Sequence, residues 1–116
     1  MLKVSENVNG NGTKNRGLFN MHICLKDYVG SFAENKDIAK ELRLGQIIPA
    51  LDKGETVTLD FEGIDGATQS FVHSLISDLF RKYTHTVLDN VLFKNCNKTI
   101  QKIVTIVSDY MQETQA

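Results

Sequence analysis

The segment VTLDFEGIDGATQSF, residues 57–71, contains the pattern of a strand, a tight turn and the start of a helix. Its first part alternates and is rich in β-branched and apolar side chains, which predicts a strand from Thr56 to Phe61. The glycine-containing run from Glu62 to Ala67 predicts the turn. Thr68 can act as the N-cap of the helix that follows, and the other elements are predicted to pack around this joint.

Three other segments have the pattern of strands. Residues 19–25 alternate apolar and polar side chains, which is typical of a strand with one face toward the core. Residues 2–8 indicate a short strand, and the Asn-Gly pairs of residues 9–12 predict a reversal after it. The same N-terminal residues are equally consistent with a flexible lead-in. Residues 91–93 predict a short apolar strand.

Helix signals separate these strands. Residues Ser31 to Glu34 match a capping box, in which the serine and glutamate side chains bond to backbone amides at a helix start. Gly45 and Pro49 predict an interruption or kink in this helix. A second helix is predicted to extend to Phe80 on its apolar spacing. Asn97 is a candidate N-cap for a final amphipathic helix.

The predicted order is β-β-α-β-α-β-α, which places the chain in the α/β class. Strands that alternate with helices favour crossover connections and a mostly parallel sheet. The sequence therefore predicts a four-stranded mixed sheet, mostly parallel, whose N-terminal edge strand pairs antiparallel, with about three to four helices. Residues 1–17 are predicted to be an N-terminal strand or flexible hairpin, and residues 18–116 the folded domain.

Length and composition are those of one globular domain. The chain has 116 residues, of which 41% are hydrophobic and 23% charged, with a formal net charge of −1. This charge provides no bulk field that attracts nucleic acid or anionic membrane, and no direct contact with either is predicted. The 2 cysteines have no repeated spacing and do not indicate a disulfide framework. Without a secretory signal or an apolar run of bilayer length, the chain is predicted to be cytoplasmic.

The run TLDFEGI of residues 58–64, followed by ATQSF at residues 67–71, resembles the bacterial STAS-like domain family of unknown function. Members of that family typically have a Leu-Asp-Phe strand followed by a helix that opens with Ser-Phe. The resemblance extends over about residues 28–111 and includes FAENK at residues 32–36 and FKN at residues 93–95. It implies a STAS-like fold, with more distant similarity to the true STAS domains of anti-sigma-factor antagonists.

The similarity to anti-sigma-factor antagonists implies a regulatory role that depends on a protein partner. Those proteins carry Asp-Ser-Ser-Gly at this helix start, and a kinase that is itself the anti-sigma factor phosphorylates the first serine. The motif falls on residues 68–71 here, so that Gln69 replaces the acceptor serine. Thr68 and Ser70 remain as neighbouring hydroxyls that could substitute for it. The implied partner is a histidine-kinase-type ATPase or a similar anti-sigma-like regulator.

The electrostatic properties of a helix N-terminus indicate the same surface, at residues 65–70. Its unpaired backbone amides and the positive end of the helix dipole can bind a carboxylate, a phosphate or a partner protein. We therefore expect a partner to bind this loop and the exposed side of the following helix. Nucleotide or small-anion sensing at the same helix start is the alternative, and Thr68 acting only as a cap is the simplest reading. The candidate partner-binding or regulatory residues are Asp65, Gly66, Thr68, Gln69, Ser70 and His73.

Two other groups of residues have the chemistry of a site. Three acids could form an oxygen-rich cation site, but their spacing is not that of an EF-hand, and solvated turn carboxylates are expected instead. These acids are Asp60, Glu62 and Asp65. His22, Cys24 and Cys96 could be zinc ligands, or a thiol nucleophile with its base. The sequence offers no convincing fourth ligand and no group that orients the base, so no metal, cofactor or catalytic residue is predicted, and no enzyme.

Overall fold

The computed structural model of the 116-residue chain describes the backbone of residues 3–5 and 20–115. Strands and helices alternate along it, so the predicted α/β class is confirmed. The strands and helices are, in chain order, β1 (Lys3–Ser5), β2 (Asn20–Cys24), α1 (Lys26–Val29), β3 (Phe32–Ala33), α2 (Lys36–Leu42), α3 (Ile48–Asp52), β4 (Thr56–Asp60), β5 (Gly66–Ala67), α4 (Gln69–Ile76), α5 (Leu79–Lys82), α6 (His85–Leu88), β6 (Val91–Lys94) and α7 (Lys98–Gln115).

The main sheet is parallel throughout. Its strands follow the order β1-β6-β4-β2, so β4 has a neighbour on each side and the short β1 extends the sheet beside β6. The prediction of one mixed sheet with an antiparallel N-terminal edge strand is wrong. β1 pairs parallel with β6 at the edge opposite β2, and a tight reversal cannot join strands that lie at opposite edges. The reversal predicted at residues 9–12 lies outside the described residues.

A separate sheet pairs the short strands β3 and β5, neither of which was expected from the sequence. The prediction that Ser31 begins a helix is wrong, because the Ser31 carbonyl accepts a hydrogen bond of 2.7 Å from the Asp65 amide and β3 follows directly. Asn35 caps α2 instead. Its side-chain oxygen accepts from the amides of Asp37 and Ile38 at 3.0 and 3.2 Å.

The other predicted helix starts are confirmed. The Thr68 hydroxyl accepts a hydrogen bond from the Phe71 amide at 3.1 Å, which caps α4. The Asn97 side chain accepts from the Ile100 amide at 2.8 Å, which caps α7. The helix predicted to extend to residue 80 ends earlier, because Asp78 adopts a left-handed conformation with φ of 71° between α4 and α5.

The interruption predicted near Gly45 and Pro49 is present as a change of helix type. Residues Arg43–Ile47 are π-helical, and the Ile48 amide bonds to the Arg43 carbonyl five residues earlier. Pro49 lies in the first turn of α3, where a missing amide removes no helical hydrogen bond. None of the helices in the described ranges has the length and hydropathy needed to span a membrane.

The two faces of the main sheet differ in character. Along β4, Val57 and Leu59 are fully buried on the core side, and the Phe61 ring stacks on Phe93 of β6 with centroids 6.1 Å apart. The buried residues of α4 and α7 belong to the same hydrophobic core. The opposite face of the sheet carries polar side chains of β2 and β4. The two strands pair so that His22 is level with Thr58, and Cys24 with Asp60.

Candidate functional site

The predicted partner-binding residues form one corner of the surface, after β5 and at the start of α4. We call residues 65–70 together with His73 the polar corner. The Asp65 amide donates to the Ser31 carbonyl at 2.7 Å, and the Thr68 amide donates to the Ala33 carbonyl at 2.9 Å. The start of α4 is therefore positioned by the backbone of a segment that lies far earlier in the chain.

Most side chains of the polar corner face solvent. Those that are exposed are Asp65, Gln69, Ser70 and His73. Thr68 is half-buried, and its hydroxyl is occupied as the cap of α4, which leaves Ser70 as the exposed hydroxyl of the corner. Gly66 is buried, and a Cβ atom at this position would lie 2.8 Å from the Phe32 ring. Gly66 thus allows the close approach of β3 rather than contact with a partner.

A groove with a volume of about 480 Å³ lies beside the polar corner, between α4 and α7. Ile106 and Tyr110 of α7 are 44% and 57% exposed, and the Tyr110 ring lies 6.4 Å from the His73 ring between centroids. Their side chains form an exposed apolar patch beside the polar corner, of the kind that is buried when a partner binds. The groove is lined by Lys36, Gln69, Ser70, His73, Ser74, Ile106, Val107 and Tyr110.

The exposed residues of α7 were not found from the sequence. The apolar spacing of the final helix includes Tyr110 and predicts it on the core face, which is wrong, and that spacing does not single out Ile106. The available signal is their spacing, since two large apolar residues four positions apart lie on one helix face beside the buried stripe. Lys36, which also lines the groove, lies in α2. Because α2 is distant from α7 along the chain, the sequence alone could not place Lys36 in this site.

A second polar cluster lies on the polar face of the main sheet, at the carboxyl ends of β2 and β4. His22 Nε2 lies 2.7 Å from Asp60 Oδ2. The other carboxylate oxygen of Asp60 accepts from the Glu62 amide and from the Asn95 side chain, each at 2.9 Å. Cys24 completes the cluster, because its sulfur, a His22 ring nitrogen and an Asp60 oxygen all lie within 4.8 Å of one another.

The three acids expected to be solvated differ from one another. Glu62 and Asp65 are exposed, but Asp60 is only 4% exposed, so the prediction is wrong for Asp60. Burial raises the pKa of Asp60, but hydrogen bonds from Asn95, from the Glu62 amide and from His22 outweigh it and hold the pKa below its ordinary value. Asp60 is therefore a buried carboxylate that the fold keeps ionised.

The thiols do not have the environment of an activated nucleophile. The sequence showed no group that orients His22 as a base, and the structure corrects this, because Asp60 does so. Desolvation and nearby carboxylates, Asp27 first, nevertheless raise the pKa of the Cys24 thiol. Burial and the charge of Asp60 raise the pKa of Cys96 to about 12. A nucleophilic cysteine needs a lowered pKa, so this arrangement does not favour thiol catalysis.

Comparison with known proteins assigns the family. A family model described as a STAS-like domain of unknown function (DUF4325) matches residues 39–101, which is more than half of the chain. The chain belongs to this family. The match confirms the resemblance read from residues 58–71, and it includes Asp60 and the polar corner of this STAS-like domain. It does not extend to β2 or to the exposed residues of α7. No curated protein and no solved structure matches the chain.

Proposed function

We propose that this STAS-like domain is non-enzymatic and regulatory, and that it binds a partner protein through the polar corner and the adjoining groove. The observation that supports the proposal is the continuity of the two surfaces. Gln69, Ser70 and His73 belong to the corner and also line the groove that contains the exposed Ile106 and Tyr110. A polar rim beside exposed aromatic and aliphatic side chains is the usual composition of a protein interface.

The charges of the groove favour a partner that presents an acidic group beside an apolar one, since Asp65, the acid of the polar corner, does not line the groove. The amides of Gln69 and Ser70 open α4, where helix geometry leaves them without intrahelical partners and the dipole is positive. Lys36 lines the same groove and adds a positive charge. A carboxylate of the partner would bind there, and an apolar side chain would pack against Tyr110, a residue type that often dominates binding energy.

The class of partner follows from the resemblance to anti-sigma-factor antagonists. We propose a histidine-kinase-type ATPase or a similar anti-sigma-like regulator in the cytoplasm. Gln69 occupies the acceptor position and has no hydroxyl, so binding would not be switched there by phosphorylation. If a hydroxyl of this domain is modified, Ser70 is the better candidate, because it is exposed and the Thr68 hydroxyl already caps the helix.

The test compares binding by variants at opposite ends of the molecule. Affinity purification and mass spectrometry nominate the partner, and calorimetry with the purified partner measures its affinity. Gln69→Glu adds a negative charge at the corner, and Tyr110→Ala removes the exposed ring. The control is Lys53→Glu, in the exposed turn before β4 and therefore at the amino end of that strand.

We expect Gln69→Glu and Tyr110→Ala each to weaken binding at least about tenfold, which corresponds to roughly 1.4 kcal/mol. Gln69→Lys should not weaken it, because the added charge has the sign that attracts an acidic partner. Lys53→Glu should leave the affinity within about twofold. Equal losses at Lys53 and Gln69, or unchanged binding in both Gln69→Glu and Tyr110→Ala, would refute the proposed surface.

The alternative is a sensor of nucleotides or small anions at the same helix start. The presence of Lys36 in the groove, near the first amides of α4, supports it, since these groups together attract phosphate. Thermal-shift screening with nucleotides tests it, with Lys36→Gln as the variant because this change leaves the cap of α4 intact. A nucleotide-dependent shift of several degrees that is lost in Lys36→Gln would favour the sensor, and no shift with any nucleotide would dismiss it.

A further inference from the structure

We propose that His22, Cys24 and Asp60 form a binding site for a divalent transition-metal ion of the zinc type. The nitrogen, sulfur and oxygen atoms that they offer lie within 4.8 Å of one another. Bonds of about 2.0–2.3 Å to a tetrahedral ion place its ligand atoms roughly 3.3–3.8 Å apart. His22 Nε2 and Asp60 Oδ2, which lie 2.7 Å apart, would therefore separate slightly to admit the ion, and the Cys24 sulfur would move toward it. The sequence alone does not indicate this set of ligands, because Asp60 is far from His22 and Cys24 along the chain. The fold brings the three side chains together.

The parallel pairing of β2 and β4 creates this convergence. Cys24 is level with Asp60 across the two strands, and His22 lies two positions earlier on the same face. The three side chains therefore project from a rigid sheet rather than from a loop. They also lie at the carboxyl ends of parallel strands, which is where ligands bind in open α/β sheets.

Asp60 is already oriented as a metal ligand would be. One carboxylate oxygen is held by the Glu62 amide and the Asn95 side chain, and the other points at His22 Nε2. Such partners around a ligand fix its direction and tune its affinity for the ion. The ion would take the place of the proton between Asp60 and His22.

The proton balance of binding is simple. An ion bound at His22 Nε2 leaves the remaining ring proton on Nδ1, and the Cys24 thiol gives up its proton to solvent when its sulfur binds the ion. The nitrogen and sulfur ligands favour zinc and similar borderline ions over magnesium and calcium, which prefer oxygen ligands.

The surrounding charges favour a cation. Cys24 and Asp60 line a cavity of about 320 Å³ that also contains Asp27, Glu62 and Lys26. Its carboxylates outnumber the single lysine, so the charges around the cavity attract a cation. His22 and Cys24 are exposed, so an ion can enter and a water molecule can complete the four-coordinate shell.

The test uses the full chain after treatment with a chelator. Zn²⁺ affinity is measured by competition with a chromophoric chelator, and Co²⁺ is added separately to detect the absorption of a cobalt–thiolate bond. We expect one Zn²⁺ per chain, a cobalt–thiolate band in the wild type, and at least tenfold weaker Zn²⁺ binding in His22→Gln and Cys24→Ser. Both residues are exposed, so these variants should fold normally, and circular dichroism is used to check this.

The chain contains 2 cysteines, so a matched control is available. The cobalt–thiolate band should vanish in Cys24→Ser and remain in Cys96→Ala. Asn95→Gly tests the role of Asp60 without changing a ligand, because it removes one of the hydrogen bonds that orient the carboxylate. Its Zn²⁺ affinity should fall about tenfold or more.

Three results would overturn the site. The first is Zn²⁺ binding by the wild type that is no tighter than binding by a His22→Gln/Cys24→Ser double variant. The second is a cobalt–thiolate band that survives Cys24→Ser and disappears in Cys96→Ala. The third is an unchanged Zn²⁺ affinity in Asn95→Gly, which would remove Asp60 from the ligand set.

Discussion

Replacing Asp60 with asparagine tests whether its buried carboxylate stabilises the fold. Asp60 accepts hydrogen bonds from Asn95 and from the Glu62 amide and contacts His22. Bonds to a charged group contribute about 1.5–3 kcal/mol each, against about 0.5–1.5 kcal/mol for neutral pairs. The difference over these contacts is roughly 3 kcal/mol, and relief of the burial of a charge offsets part of it. We therefore expect Asp60→Asn to lower the free energy of unfolding by about 2 kcal/mol at pH 7.

The same argument sets the pH dependence. The pKa of Asp60 is lowered from its ordinary value of 3.8, so the folded state prefers the ionised form. Its contribution is fully present above the unfolded pKa and is lost as the pH falls through the lower folded pKa. The stability difference between wild type and Asp60→Asn should therefore shrink as the pH falls below about 4.

Urea denaturation followed by circular dichroism, in the presence of a chelator, measures this difference. For a slope of about 1–3 kcal/mol per molar urea, a loss of 2 kcal/mol moves the midpoint by roughly 1 M. The control is Glu62→Gln, which removes a neighbouring exposed carboxylate and should change stability by less than about 0.5 kcal/mol. Equal stability of Asp60→Asn and wild type at pH 7, or a difference that grows as the pH falls below about 4, would refute the reasoning.

Three further predictions concern the elements that build the polar corner. Thr68→Ala should destabilise the protein by about 1 kcal/mol in urea denaturation while Thr68→Ser does not, because the hydroxyl caps α4. Asn35→Ala should lower the free energy of unfolding by a similar amount, roughly 1 kcal/mol, because the Asn35 side chain caps α2, whereas Ser31→Ala should lower it by less than about 0.5 kcal/mol. The opposite ranking would show that Ser31, and not Asn35, caps this helix. Gly66→Ala should cost about 1–3 kcal/mol because its Cβ meets the Phe32 ring, and most of that loss should disappear when Phe32→Ala is combined with it in a double-mutant cycle.

Elements that depend on local chemistry could be predicted from the sequence. The strand at residues 56–60 and the caps at Thr68 and Asn97 follow from side chains within a few positions of each other. The capping box at Ser31 failed because its backbone pairs with Asp65, and a local pattern cannot include a competing partner so far along the chain. The direction of β1 failed for the same reason, since it depends on the order of strands in the sheet.

The candidate sites divide in the same way. The exposure of Gln69 and Ser70 could be predicted, because a helix start after a turn normally faces solvent. The contact between His22 and Asp60 could not, because it depends on the register of two strands separated by three helices and a π-helical turn. The groove beside the corner likewise requires the relative position of α4 and α7.

Site-specific photo-crosslinking tests the proposed docking surface most directly. A photoreactive amino acid is placed at Gln69 in the polar corner, or at Lys53 at the opposite end of β4, and each protein is irradiated with the purified partner at equal occupancy. The proposal predicts a discrete crosslinked product from position 69 and little or none from position 53. Efficient crosslinking from position 53, with none from position 69 while the partner remains bound, would contradict it.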